Sequence, residues 1–169
     1  LDLPQQGFFT AKVSWEANGR RHAKALRFAV IEPYKQSDSI FGIDMAPATD
    51  QGCHALKKAG LVWAREWATN WQHVEPEPGV FEFALADAHI KRVRNTGMQI
   101  LEVVPHPSSN WASSAPVEAE AIGAKINSWW WRMMYPPKDK EALVRFVQTL
   151  VSHYRGQIRF WEYLNEPFY

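Results

Sequence analysis

The chemistry available to this chain converges on Glu166, which follows Trp161-Glu162-Tyr163-Leu164-Asn165 and precedes Pro167. The run from Ile158 to Leu164 is aromatic and aliphatic, a composition suited to a strand covered on both faces. Proline has no amide hydrogen for a sheet ladder, so the strand stops before Pro167. Asn165 and Glu166 then stand at the carboxyl end of a strand, where α/β folds gather their reactive groups. An Asn-Glu-Pro that merely opens a turn is the plain alternative.

Other candidates lie at similar positions. Arg65 sits near the carboxyl end of an earlier strand-like run, 61–67, and a guanidinium there favours the charged form of a neighbouring carboxylate. The structural alternative is an inward-facing Arg paired with Asp44 or Glu66. Trp67, Asn70 and Trp71 follow that run and can wall a binding site. His106 stands just past a third run and can donate to a hydroxyl, whereas His73 and His89 look ordinary. The six histidines show no metal-ligand spacing and no Gly-rich phosphate loop is present, so no cofactor is expected.

These residues must be carried by alternating strands and helices. Strands are expected at 41–45, 61–67, 99–105 and 158–164. Helices are expected at about 49–59, capped by Thr49 or Asp50 and stopped by Gly60, and at 85–96, with Ala86, Ile90 and Val93 on one face. A third helix is expected from Pro137, with Leu143, Val147, Leu150, Val151 and Tyr154 as its apolar stripe and Gly156 as its end. The loop 106–137, which holds Trp129-Trp130-Trp131, is too long for a simple connector. Such alternation argues for a parallel sheet with right-handed crossovers. Upstream, 7–31 reads as a hairpin turning at Asn18-Gly19, with Leu26, Phe28 and Val30 on a buried face.

Composition narrows the partners. Nineteen basic against 18 acidic residues give a net charge of +1, which offers no electrostatic case for nucleic acid. No apolar run approaches the roughly 18 residues that span a bilayer, so no membrane partner is expected. A single cysteine, Cys53, rules out an internal disulfide within these residues. Nine tryptophans suit a cleft in which aromatic faces meet the C–H faces of sugar rings, although large aromatics also fill cores.

Two stretches resemble a known group. Trp161-Glu162-Tyr163-Leu164-Asn165-Glu166-Pro167 is similar to the fourth-strand motif of the clan A glycoside hydrolases, which are retaining (β/α)8-barrel glycosidases. Trp71-Gln72-His73-Val74-Glu75-Pro76-Glu77-Pro78-Gly79-Val80-Phe81-Glu82-Phe83 is similar to the loop after the second strand in xylosidase- and galactosidase-like families of that clan. The resemblance covers about 40–169 and assigns no single family. It implies that Glu166 is the general acid/base and that Asn165 binds the sugar 2-hydroxyl. It also implies that Arg65 pairs with the nucleophile and that Trp111 belongs to the proline–tryptophan turn after the third strand; with Trp67, Trp71 and His106, expected from their places at strand ends, these residues are the candidate substrate contacts. The nucleophile of this clan sits on a seventh strand, outside this chain.

The expected architecture is therefore α/β: residues 40–169 form the N-terminal half of a TIM (β/α)8 barrel, with four βα strands. Residues 33–39 form a linker, and 1–32 are the last strands of an upstream β-sandwich-like domain. A half-barrel of this kind is expected to be inactive alone and to self-associate through its open strand edges. The expected substrate is an oligo- or polysaccharide. A non-catalytic carbohydrate-binding protein and a barrel scaffold that binds partners through its Trp-rich loop are the alternative functions.

Overall fold

A computed structural model describes residues 5–36, 38–125 and 130–166. Two sheets organise them. Strands β1 (Gly7–Ala17) and β2 (Arg20–Val30) form an antiparallel hairpin, closed by Asn18 and Gly19 at φ 52° and 70°. Both turn residues need left-handed angles, which Asn tolerates and Gly adopts freely. Phe9 stacks on Phe28, and Trp15 on its register partner His22. The buried face expected for β2 is not seen: Leu26 is 45 % exposed, because a two-stranded ribbon has no second layer to cover it.

The second sheet is parallel, in the order β3 (Gly42–Asp44), β4 (Trp63–Glu66), β5 (Gln99–Val104) and β6 (Phe160–Tyr163). Helices α1 (Asp50–Lys58), α3 (Ala84–Asn95) and α5 (Lys140–His153) make the crossovers. A four-residue helix α2 (Trp71–Val74), which carries no long-range periodicity, follows β4. The long loop after β5 holds α4 (Ala119–Lys125) and a 3-10 turn at Trp131–Met134. Gly123 in α4 lies against the Trp131 ring, where an added Cβ would come within 2.5 Å of Cδ1. Trp129 lies outside the described residues.

Helix boundaries follow their caps. Thr49 Oγ1 accepts from Gly52 N at 3.2 Å and opens α1, and Ala86, Ile90 and Val93 form the buried face of α3, both as expected. The start of α5 is corrected. Asp139, not Pro137, caps it by accepting from Glu141 N at 2.9 Å. Of its expected stripe, Leu150 and Tyr154 are buried and Leu143 and Val147 pack against the core, but Val151 is 42 % exposed, and the buried face is widened by Ala142 and Phe146. Phe146 stacks on Trp71 at 4.8 Å, which places the Ala142–Phe146–Leu150 row inside the core.

Register divides the parallel sheet into two faces. Ile43, Ala64, Ile100, Val104 and Trp161 face the helices, joined by Glu66 and Glu102. Asp44, Trp63, Arg65, Leu101, Val103, Phe160 and Glu162 occupy the opposite face. The strand composition suits cover on both faces, but, as expected for half a barrel, β6 ends the sheet with an edge unpaired among the described residues and Phe160 is 39 % exposed. Its neighbour across the sheet, Trp63, covers only part of the Phe160 ring, edge to face at 5.0 Å.

Candidate active site

The site forms where β4, β5 and β6 release their chains. Leu164 N donates to Val104 O at 2.9 Å and Asn165 N to Pro105 O at 3.3 Å, which ties the end of β6 to the end of β5. The backbone turns sharply here, with Leu164 at φ 68° and Glu166 at φ 49°. Side chains seldom adopt these left-handed angles, and such residues cluster where structure over-determines them at functional sites.

Arg65 holds three strand ends together. Its Nε and Nη2 donate to the two Glu162 carboxylate oxygens at 2.9 and 2.6 Å, and Nη1 donates to Asp44 Oδ1 at 3.0 Å. Nη2 also donates to Asn165 Oδ1 at 2.9 Å. The Glu162 hydrogen bond is the main reason that the guanidinium holds its proton even more tightly than usual. In return Arg65 holds the Glu162 carboxyl below the usual carboxylate range. Because a guanidinium only donates, the Asn165 amide must present its oxygen to Arg65, and its NH2 is left for another partner. Of the two structural partners expected for Arg65, Asp44 is present and Glu66 is not. Glu66 points to the helices, where it accepts from Ala46 N at 2.9 Å and meets His89 Nε2 at 2.5 Å.

A cleft of about 450 Å³ opens beside these strand ends. Glu166, Asn165, His106 and Trp67 line it together with Asn70, His73, Trp130 and Met134. Asn70 Oδ1 accepts from Gln72 N at 2.9 Å, so its NH2 faces His106 Nδ1 at 3.0 Å. Nδ1 must therefore accept, and the neutral ring carries its proton on Nε2. Burial is the main cause that lowers the His106 pKa, with His73 adding to it, which keeps the ring neutral at pH 7. Trp130 stacks near His106, with ring centres 6.0 Å apart. The Trp67 ring lies 5.5 Å from the Arg65 guanidinium carbon, and its buried indole nitrogen has no hydrogen-bond partner among the described residues.

Two expected residues are elsewhere. Trp71 is 0 % exposed: it stacks on Phe146 and donates to Glu75 Oε2 at 2.6 Å, so it fills the core and walls no cleft. Trp111 packs edge-on against Trp71, donates to Glu75 O at 2.9 Å and lines a separate cavity with Phe81 and Gln148. Both are recruited by the same buried Glu75, whose other carboxylate oxygen accepts from Gly79 N. The expectation that at least one of the three consecutive tryptophans lines the cleft is met by Trp130, whereas sequence reading missed His73 and Met134 as cleft residues and Glu162 as the main partner of Arg65. A charged residue inside an otherwise aromatic strand was the available signal for Glu162.

Comparison with known proteins fits this geometry. The family model for glycosyl hydrolase family 10 matches residues 40–169. An endo-1,4-beta-xylanase from Agaricus bisporus is 33 % identical over 106 residues, which are 58 % of this chain and 25 % of that protein. Endo-1,4-beta-xylanase C from Phanerodontia chrysosporium is 28 % identical over 101 residues, 58 % of this chain and 21 % of that protein. The chain thus spans at most about a quarter of the length of these relatives in the matched region. A family 39 glycoside hydrolase from Bacteroides cellulosilyticus WH2 superposes with a TM-score of 0.66 at 19 % identity, covering 98 % of this chain and 33 % of that one. That likeness shows the fold alone: it covers the parallel sheet and helices of a partial (β/α)8 barrel together with the preceding hairpin. The match over 40–169 carries the strand-end motif as well as the sheet, and by it the chain belongs to glycosyl hydrolase family 10, among the clan A glycosidases.

Proposed function

We propose that the full-length protein containing this chain hydrolyses β-1,4-linked xylan or xylo-oligosaccharides with retention, and that Glu166 is its general acid/base. The substrate class rests on the names of the two xylanase relatives. The role of Glu166 rests on one observation above all: it lines the cleft at the end of β6, beside an Asn165 whose amide is oriented by Arg65. In the first step Glu166 gives its proton to the leaving oxygen while a second carboxylate, outside these residues, attacks the anomeric carbon. In the second step Glu166, now ionised, takes a proton from water as the covalent intermediate breaks down. Asn165 donates its free NH2 to a sugar hydroxyl, and the His106 Nε2–H donates to another. Trp67 and Trp130 supply apolar surface for the ring faces.

Glu166→Gln keeps the shape and removes the transferable proton. Its first, glycosylation step is expected to slow by about 10²- to 10⁴-fold for substrates with poor leaving groups, and by far less for an activated aryl glycoside. Single-turnover kinetics across a series of leaving groups checks this. Equal losses across the series would remove Glu166 from the acid role.

A further inference from the structure

Glu102 lies on the helix-facing side of β5, 0 % exposed, flanked by the apolar pairs Ile100-Leu101 and Val103-Val104. Its Oε1 accepts twice from one residue, from Thr69 N at 2.8 Å and from Thr69 Oγ1 at 2.9 Å. Its Oε2 is buried with no hydrogen-bond partner among the described residues. Its register partner on β4 is another buried carboxylate, Glu66. A buried carboxyl that uses one oxygen and neighbours a like group costs stability relative to an apolar residue of similar size. Features of this kind persist where they hold something functional in place.

What Glu102 holds is the segment that leaves β4 for the cleft. Thr69 lies between Trp67 and Asn70, both of which line the cleft, and Asn70 in turn sets the Nδ1 side of His106. We infer that Glu102 is a positioning residue, which clamps Thr69 from beneath the sheet and thereby fixes the Asn70 amide, the tautomer of His106 and the face that the cleft offers to a sugar. The inference rests on the glycosidase reading for its kinetic consequence, but not for its geometric one.

Two variants and two readouts test it in the full-length protein. Glu102→Ala removes the clamp; Glu102→Gln restores an acceptor oxygen of the same reach without the charge. ¹⁵N spectra of the His106 ring report the tautomer without reference to activity. Wild type and Glu102→Gln are expected to show one form, with the proton on Nε2, whereas Glu102→Ala gives a mixture. With xylo-oligosaccharides, Glu102→Ala is expected to raise KM about tenfold, the scale of a lost buried hydrogen bond, with kcat within about threefold. Should Glu102→Ala fail to fold, Thr69→Val, which deletes only the hydroxyl donor, carries the test with the same signs and smaller effects. An unchanged His106 tautomer in these variants overturns the inference. So does a fall in kcat alone with KM unmoved. If no variant and no wild type cleaves any glycoside, the glycosidase reading fails while the ring spectra still decide the positioning role.

Discussion

The two faces of the parallel sheet treat carboxylates in opposite ways. On the helix-facing side, Glu66 and Glu102 are 1 % and 0 % exposed and opposite one another in register. On the other side, Asp44 and Glu162 are half-open to solvent and share a single guanidinium, that of Arg65. Burial dominates at Glu102 and raises its pKa to about 7, with the Thr69 hydrogen bonds and His89 opposing and Glu66 adding to the rise. Pairing dominates at Glu162 and lowers its pKa. The same side chain therefore serves as a buried clamp that keeps its proton up to about pH 7 on one face and as a fixed charge on the other. What decides is whether an arginine or a layer of helices lies across from it.

Arg65→Met is expected to give the largest effect of the substitutions that probe this contrast. It frees the Asn165 amide and leaves Asp44 and Glu162 as like charges without their shared cation. We expect kcat/KM of the full-length protein to fall about 10- to 100-fold, the loss of one or more charged hydrogen bonds. Steady-state kinetics beside a thermal melt separates this from unfolding. A kcat/KM within twofold of wild type would show that the inner-face charge cluster is structural only.

Glu102→Gln sharpens the other half of the comparison. A carboxyl whose folded pKa is raised binds its proton more tightly when folded. Its contribution to stability is therefore complete below the unfolded value near 4.5 and is lost as pH rises through about 7. The full shift corresponds to about 3 kcal/mol. Denaturant unfolding of wild type at pH 5 and pH 8 is expected to show this decline, and the Gln variant, which has no proton to lose, is expected to flatten it. Glu66 and His89, which face the same carboxyl, remain in both proteins, so the difference between the two profiles belongs to Glu102. A decline of equal size in both would place the pH dependence elsewhere.

Trp130→Ala carries the smallest expected effect. Trp130 lines the cleft beside His106, whereas its neighbour Trp131 packs on Tyr135 at 5.0 Å and against Gly123. Loss of one stacking face is expected to weaken oligosaccharide binding about three- to tenfold, while Trp131→Ala lowers thermal stability and leaves affinity nearly unchanged. Fluorescence titration distinguishes the two, and a reversed pattern would exchange their roles.

What was legible in advance divides along lines of range. The Asn18-Gly19 turn, the Thr49 cap and the buried face of α3 depend on residues within about four positions of each other, and all three were readable from spacing. The start of α5 was misjudged because Pro137 and Asp139 are both good opening residues, and only the hydrogen bond from Glu141 N distinguishes them. Trp71 and Trp111 were misplaced for a different reason. A tryptophan beside a strand end fits a cleft or a core equally well; the choice was made by Phe146, which stacks on Trp71 from α5, and by Glu75, the C-cap of Trp71's own helix, which binds both indoles. Glu162 and Arg65 are 97 residues apart, and nothing local announces their pairing. The cleft itself was legible to the extent that strand ends gather in parallel sheets: Glu166, Asn165, His106 and Trp67 do line one space.

The central claim is that Glu166 moves the proton at the scissile bond. Its most direct test is Glu166→Ala in the full-length protein, assayed with an activated aryl β-xyloside in the presence and absence of sodium azide. Without the carboxylate, water is poorly activated and the covalent intermediate accumulates; azide needs no base and attacks it directly. The account predicts a rate that rises with azide concentration and a glycosyl azide product of retained, β configuration. An α-glycosyl azide would make Glu166 the nucleophile instead, and no response to azide with near-wild-type turnover would contradict any role for it in proton transfer.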